Sequence, residues 1–267
     1  MTAEVVREPR AAGRWRVDLL VTGVALAALL AWDFSGADLA TARWFGNAQG
    51  FAWRNTWWAS TLLHDGGRVA AWLLLGALVA SALRTAGAAQ AGANLAAKAT
   101  AKPSRSARWR WLGVMLLCVL LVPAVKRFSG TSCPWDLAEF GGVARYVSHW
   151  QFGVVDGGGG HCFPSGHAVA AFGFFGLYFL WRRHSARRAR VWLALVLAAG
   201  LLFGSAQLVR GAHYPSHTLW SAWLCWAWCV AADALFRWRA ARPRCVFDIS
   251  VRPQRSRSAL DISAQRP

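Results

Sequence analysis

The chain has 267 residues, of which 56% are apolar, and a net charge of +18. The apolar residues are concentrated in six blocks of near membrane-spanning length with few internal charges, which excludes the core pattern of a soluble domain. The blocks cover residues 17–33, 66–83, 109–125, 166–181, 191–209 and 218–236. We therefore predict an all-α, polytopic membrane protein with six transmembrane helices.

Lysine and arginine are divided unequally between alternate connections. The N-terminal arm, the second and fourth connections and the C-terminal tail hold 23 of the 30 basic residues, and the other three connections hold seven. Basic residues collect on the cytoplasmic side of membrane proteins, so both the N and the C terminus are predicted to be cytoplasmic. The charge therefore indicates topology and contact with anionic membrane lipids, and we expect no nucleic-acid partner.

The predicted segments follow in chain order. A cytoplasmic basic arm, residues 1–16, precedes a six-helix membrane domain, residues 17–236. Within that domain, residues 84–108 are rich in Ala, Gly, Lys and Ser and are predicted to form a flexible cytoplasmic linker. Residues 126–165 form one large outer loop, and residues 237–267 form a basic cytoplasmic tail.

The first outer segment, residues 33–65, is rich in tryptophan, which favours the level of the lipid headgroups. It ends in the stretch His64-Asp65-Gly66-Gly67-Arg68, directly before the second span. This stretch fits a capped turn and a functional polar cluster equally well.

Two of the six cysteines, Cys133 and Cys162, fall in the large outer loop. An oxidising periplasm allows such a pair to form a disulfide. The sequence leaves open whether they pair.

Polar residues of chemical interest share one predicted side of the membrane. Lys126 ends the third span, and Arg210 follows the fifth. Six of the seven histidines lie on this same outer side: His64, His149, His161, His167, His213 and His217. Polar groups kept at membrane depth usually mark a functional site.

The stretch Pro164-Ser165-Gly166-His167 opens the fourth apolar block. The first amides of a helix lack intrahelical partners and carry partial positive charge, so such a start can bind phosphate. Taken alone, the stretch fits a glycine-rich loop, a helix cap and a satisfied histidine at least as well.

Lysine, arginine and helix-start amides together favour phosphoryl transfer, because they neutralise phosphate oxygens. One histidine can attack phosphorus while another moves a proton. Clustered histidines also suggest a metal site, and His213 and His217 have an i, i+4 spacing. Pro215 interrupts that spacing, so we predict no metal site and no cofactor.

Three motifs resemble those of the type 2 phosphatidic acid phosphatase superfamily in its membrane-bound, bacterial form. The family pattern is Lys-x6-Arg-Pro, then Pro-Ser-Gly-His, then Ser-Arg-x5-His-x3-Asp. This chain has Lys126-x6-Cys133-Pro134, then the intact Pro164-Ser165-Gly166-His167, then Gln207-x5-His213-x3-His217. Order and spacing are kept, but Cys133 and Gln207 replace two arginines and His217 replaces the aspartate.

The resemblance implies a role for each matching residue. His213 would be the nucleophile, and His167 the general acid and then the base. Phosphate would be held by Lys126, Ser165 and the Gly166 amide, with Gln207 at the position of a family arginine. Arg210 lies outside the motif, one helical turn from Gln207, and is a candidate source of part of the missing charge. The residue that orients the nucleophile would be one of three candidates: His217, Asp136 or Asp65.

The resemblance further implies a metal-independent lipid phosphatase of the bacterial inner membrane. Its site would face the periplasm, and a phosphohistidine would form on the way to hydrolysis of a lipid phosphate or diphosphate. Two alternatives within the family are transfer of the phosphoryl group to an acceptor lipid and binding of lipid phosphate without turnover. A small transporter is a third alternative, but it would need polar residues along the whole path across the bilayer.

Overall fold

The computed structural model describes residues 9–84 and 102–241, with side chains from Arg14 onward. Most of the predicted linker and nearly all of the predicted tail lie outside the described residues. The described residues of the predicted N-terminal arm and of the predicted tail are helical, because the first helix begins at Pro9 and the last one continues to Ala241.

Helices make up 69% of the structure and strands 3%. The α-helices are α1 Pro9–Asp33, α2 Ala37–Ala42, α3 Gly66–Leu83, α4 Arg105–Lys126, α5 Val169–Phe172, α6 Gly176–Trp181, α7 Ala186–Val209 and α8 Pro215–Ala241. A π-helical segment, Trp58–Asp65, runs directly into α3. A 3-10 turn, Gly173–Phe175, joins α5 to α6.

Five helices of the described residues are long and apolar enough to cross a membrane. They are Arg14–Asp33, Trp58–Leu83, Arg105–Lys126, Ala186–Val209 and Pro215–Ala241. The fourth predicted block forms the shorter apolar helix Val169–Trp181, built from α5, the 3-10 turn and α6. The mostly helical membrane fold is therefore supported, while the count of six spans and the cytoplasmic termini remain predictions.

The fourth block begins its helix three residues later than the start of the apolar run. Gly166 and His167 form a turn, and α5 starts only at Val169. Before this turn, the Ser165 amide donates to the His217 carbonyl oxygen of α8 at 3.0 Å.

Glycines allow the short α5–α6 segment to pack at the centre of the bundle. A Cβ atom on Gly176 would lie 2.7 Å from Met115 of α4, and one on Gly200 of α7 would lie 2.1 Å from the Phe172 ring. Both distances are shorter than any real Cβ contact, so larger residues would push the helices apart. Small residues at helix contacts are typical of packing within membranes.

Buried ion pairs hold the bundle together where α6 ends. We call this the Arg182 end and the opposite one, where α4 ends, the Lys126 end. The buried Arg182 guanidinium donates to Asp18 of α1 and to Asp233 of α8, both at 2.7 Å. Arg183 also donates to Asp233, at 3.1 Å. Segments far apart in sequence are thus joined by charge-assisted hydrogen bonds.

A small second core covers the Lys126 end. It packs α2, a hairpin of β1 Gly46–Asn47 and β2 Gly50–Phe51, and the loop after α4. Its buried side chains are Ala42, Phe51, Leu137, Phe140, Ala144 and Tyr214. This cap fixes the loop 126–165 against the start of α8.

We expect Arg182→Ala to lower the free energy of unfolding by about 3–5 kcal/mol, because it removes the ion-pair partner of the buried Asp18. Thermal unfolding of the purified protein in detergent measures the effect. Arg183→Ala is the matched control, since its side chain is 54% exposed and such pairs contribute about 1 kcal/mol or less. Equal effects of the two variants would contradict the structural role of Arg182.

Candidate active site

A cavity of about 440 Å³ lies at the Lys126 end of the bundle. The residues that line it come from α3, α4, α5, α7, the π-helical segment and two connections: His64, Arg68, Lys126, Cys133, Trp135, Gly166, His167, Ala170, Gln207, Arg210, Ala212 and His213. Six residues that the sequence predicted for a site are among them: Lys126, Gly166, His167, Gln207, Arg210 and His213. The structure therefore brings together residues separated by nearly ninety positions in the chain.

His213 lies on the turn between α7 and α8 and is 5% exposed. The turn is fixed by the Gln207 carbonyl oxygen, which accepts from the Ala212 amide at 2.8 Å and from the His213 amide at 3.3 Å. Burial lowers the pKa of His213 well below its ordinary value, and positive charge on Lys126 lowers it further. His213 is therefore neutral near pH 7, as a nitrogen nucleophile must be.

His167 lies on the turn before α5. Its ring stacks on His64 with 4.4 Å between ring centroids, and Nε2 donates to the Leu63 carbonyl oxygen at 3.4 Å. Burial, with an additional effect of the neighbouring His64, lowers the pKa of His167 to about 4. Both candidate catalytic histidines are thus neutral in the empty cavity.

Lys126 and Gly166 meet at the wall of the cavity. A Cβ atom on Gly166 would lie 3.9 Å from the Lys126 Nζ atom, so the absence of a side chain leaves room beside the ammonium group. Ser165 does not line the cavity. It is fully buried behind Gly166, and its Oγ has no hydrogen-bond partner among the described residues.

Arg210 and Gln207 form one polar unit at the end of α7. Arg210 Nη1 donates to the Gln207 Oε1 atom at 3.4 Å, and Arg210 Nε donates to the Arg54 carbonyl oxygen at 3.0 Å. The buried Gln207 Nε2 group has no partner among the described residues. Arg210 and Gln207 thus line the same cavity, and the Gln207 side-chain oxygen is bonded to the Arg210 guanidinium.

Two cavity residues, His64 and Arg68, were not assigned as site residues from the sequence. They lie four positions apart at the junction of the π-helical segment and α3, and such a spacing puts them on one face of a helix. The sequence feature that could have identified this pair is the polar stretch His64-Asp65-Gly66-Gly67-Arg68, which lies directly before a long apolar run. Of this stretch, the sequence predicts a candidate site residue only in Asp65.

The three candidates for orienting His213 have different surroundings. The His217 ring lies 5.7 Å from the His213 ring, measured between centroids. Asp136 caps a short turn, where Oδ2 accepts from the Cys133 amide at 3.3 Å, and Asp65 pairs with His64 at 2.9 Å. Of the three, only His217 contacts His213.

Cys133 and Cys162 are joined by a disulfide. The Cys162 Sγ atom lies 3.5 Å from His213 Nδ1. The two sulfurs and a His213 ring nitrogen lie within 4.8 Å of one another, a spacing suited to a metal ion. Since zinc is bound by thiolates, sulfurs that are bonded to each other do not supply such ligands.

Buried carboxylates behind the cavity also escaped the sequence analysis. Asp33 Oδ2 accepts from the His149 ring at 3.2 Å and from the indole nitrogens of Trp150 and Trp220 at 3.0 and 2.8 Å. Asp38 accepts from the amide and the hydroxyl of Ser216. These bonds tie α1 and α2 to α8, so they support the turn that carries His213. Burial raises the pKa of Asp38, and the bonds from Ser216 oppose that shift.

Comparison with known proteins gives one match. The family model of the PAP2 superfamily matches residues 108–242, just over half of the chain. No curated protein and no solved structure is similar enough to this chain to count as a match.

The matched range contains Lys126, the intact Pro164-Ser165-Gly166-His167 stretch and His213. The resemblance drawn from the three motifs is thereby confirmed. The chain belongs to the PAP2 superfamily, the type 2 phosphatidic acid phosphatases, and this membership supports a phosphatase-type activity.

Proposed function

We propose that this protein is a metal-independent lipid phosphatase that removes phosphate from a lipid phosphate or diphosphate through a phosphohistidine. The observation that carries the proposal is the convergence of His213, His167, Lys126 and Arg210 on one cavity. A neutral histidine that can attack, a second histidine that can carry a proton and two cations are the groups that nucleophilic phosphoryl transfer requires.

The reaction has two steps. His213 attacks phosphorus, the bond to the lipid oxygen breaks, and His167 gives that oxygen a proton. His167 then takes a proton from water, which attacks the phosphohistidine and releases inorganic phosphate. Lys126 and Arg210 stabilise the charge that spreads over the phosphoryl oxygens in both steps.

Arg68 supplies positive charge that the divergent motifs lack. The matching family positions carry Cys133 and Gln207 instead of arginine. Arg68 and Arg210 both line the cavity. Together with Lys126, the cavity offers three cationic side chains to a phosphate group that carries up to two negative charges.

An apolar groove of about 290 Å³ next to the cavity favours a lipid over a soluble substrate. Arg68, Gly166 and Ala170 line both spaces, so the groove leads directly to the polar cavity. Its other walls come from α3, α4 and the α5–α6 segment: Ala71, Trp72, Leu75, Met115, Val119, Pro123, Val169, Gly173 and Phe174. An acyl or prenyl chain in this groove would keep its phosphate at the cavity.

The excess of basic residues on alternate connections favours a site on the periplasmic side of the bacterial inner membrane. The Cys133–Cys162 disulfide agrees with this location, because disulfides persist in the periplasm. Transfer to an acceptor lipid would use the same first step, with a lipid hydroxyl in place of water. Binding without turnover is the rival suggested by the missing aspartate.

We expect His213→Ala to lower kcat/KM for dioctanoyl phosphatidic acid by at least about a thousandfold, because the nucleophile is lost. His167→Ala should block protonation of the alkoxide leaving group. With an aryl phosphate, whose leaving group needs no proton, His167→Ala should still accumulate a labelled phosphohistidine.

His161→Ala is the matched control, since His161 is exposed at the same end and does not line the cavity. Full phosphate release by His213→Ala would exclude the proposed mechanism. If the purified wild-type protein bound lipid phosphate but released no inorganic phosphate, the alternative of binding without turnover would be favoured.

We expect the ratio of two kcat/KM values, that for an alkyl phosphate over that for an aryl phosphate, to depend on pH. As the pH is lowered from 8 to 5, this ratio should rise by about tenfold per pH unit. With its pKa lowered to about 4, His167 is protonated in only a small fraction of the free protein, and acidification enlarges that fraction. His213 stays neutral because its pKa is lowered too. Taking the ratio removes the pH dependence that both substrates share through ionisation of their phosphate groups. A ratio independent of pH would contradict the role of His167 as the acid.

We expect Ala71→Phe to lower kcat/KM for a long-chain lipid phosphate by about tenfold, because the larger ring fills the groove. Hydrolysis of phenyl phosphate should be unchanged. Ala70→Phe is the matched control, since Ala70 is exposed and does not line the groove. An equal loss with both substrates would show that the groove does not select the lipid chain.

A further inference from the structure

A sulfur atom contacts the candidate nucleophile where a carboxylate would be expected. His213 Nδ1 lies 3.5 Å from the Cys162 Sγ atom. No Asp or Glu of the described residues forms an ion pair with His213. Cys162 therefore supplies the contact to Nδ1 of His213.

The disulfide determines which ring nitrogen of His213 carries the proton. A sulfur in a disulfide has no hydrogen, so it can only accept a hydrogen bond. Its contact with Nδ1 is favourable when Nδ1 carries the proton and donates. The lone pair then lies on Nε2, which is the nitrogen left to attack phosphorus.

The rest of the loop holds the disulfide against the turn of His213. The Cys162 amide donates to the Thr131 carbonyl oxygen, and the Trp135 amide donates to the Gly211 carbonyl oxygen, both at 2.9 Å. The Cys162 Sγ atom also lies 3.1 Å from the Ala212 carbonyl oxygen. The disulfide, the loop after α4 and the turn after α7 therefore form one connected unit.

We infer that the Cys133–Cys162 disulfide is the positioning element of His213 and that turnover depends on its oxidation state. The inference rests on the proposed function, because it assumes that His213 attacks phosphorus. It assigns to a covalent sulfur pair the orienting role that a carboxylate has in other histidine nucleophile sites.

Reduction changes the hydrogen bonding of the ring. A dithiol reduces the disulfide by thiol–disulfide exchange, which gives two thiols on the protein and one disulfide on the reductant. The new Cys162 S–H group can donate to Nδ1 or to the Ala212 carbonyl oxygen. Donation to Nδ1 moves the ring proton to Nε2 and removes the nucleophilic lone pair. Cys133 lines the cavity, so the reductant reaches the disulfide from there.

Purified full-length protein tests the inference in three states: oxidised, reduced with dithiothreitol, and reoxidised. The substrate is dioctanoyl phosphatidic acid. Binding of inorganic phosphate is measured by calorimetry in each state, and ¹⁵N NMR of labelled histidine reports the ring proton of His213. The control is Cys133→Ala combined with Cys162→Ala, which removes the disulfide without adding thiols.

We expect reduction to lower kcat by at least about tenfold and reoxidation to restore it, while phosphate affinity changes by less than about twofold. NMR should show the proton on Nδ1 in the oxidised protein and a shift toward Nε2 on reduction. The double variant should have the low kcat and be insensitive to dithiothreitol.

Three results would overturn the inference. One is an equal kcat in the oxidised and reduced states, and another is a loss of both kcat and phosphate binding on reduction. The third is a double variant whose kcat still responds to dithiothreitol. The joint loss would assign the disulfide a purely structural role in the loop. No turnover by the oxidised protein on any lipid phosphate would instead reject the proposed function. The position of the ring proton would then still decide whether the disulfide orients His213.

Discussion

The hydrogen bond from the Ser165 amide to the His217 carbonyl oxygen joins the two turns that carry the candidate catalytic histidines. His167 follows Ser165 on one turn, and His213 precedes His217 on the other. Backbone groups near a bilayer must find partners inside the protein, because lipid offers none. The bond lies directly before the turn that leads into α5, and it ties the two turns to each other.

The sequence predicted the helices well because hydrophobic length is a local property. Five long apolar helices and one shorter apolar helix coincide with the six apolar blocks. The cap at the Lys126 end was not predicted, because α2 and the two-residue strands of the hairpin are too short to produce a periodic pattern. Likewise, the ion pairs of Arg182 join three distant segments, and nothing in the spacing of Asp18 or Asp233 indicates them.

Site residues could be predicted from the sequence where a family motif is intact or its spacing is kept. Contacts between segments that are distant in sequence were harder to predict. Lys126, His167 and His213 follow the family spacing, and all three line the cavity. Ser165 belongs to the intact motif but lies behind the cavity wall, because its backbone is bonded to α8. The contact between Cys162 and His213 could not be read from the sequence, since it depends on how a long loop folds over a turn.

The departures from the family motifs acquire a common explanation if the proposed function holds. The positions that lack arginine and aspartate lie within residues 108–242, the range matched by the family model. Arg68 lies outside this range, on α3, yet it lines the same cavity. Cys133 stands in place of one arginine, and its disulfide partner contacts the candidate nucleophile. Under the proposed function, Arg68 of a neighbouring helix would offset the missing motif charge, and the disulfide would take the place of the missing carboxylate.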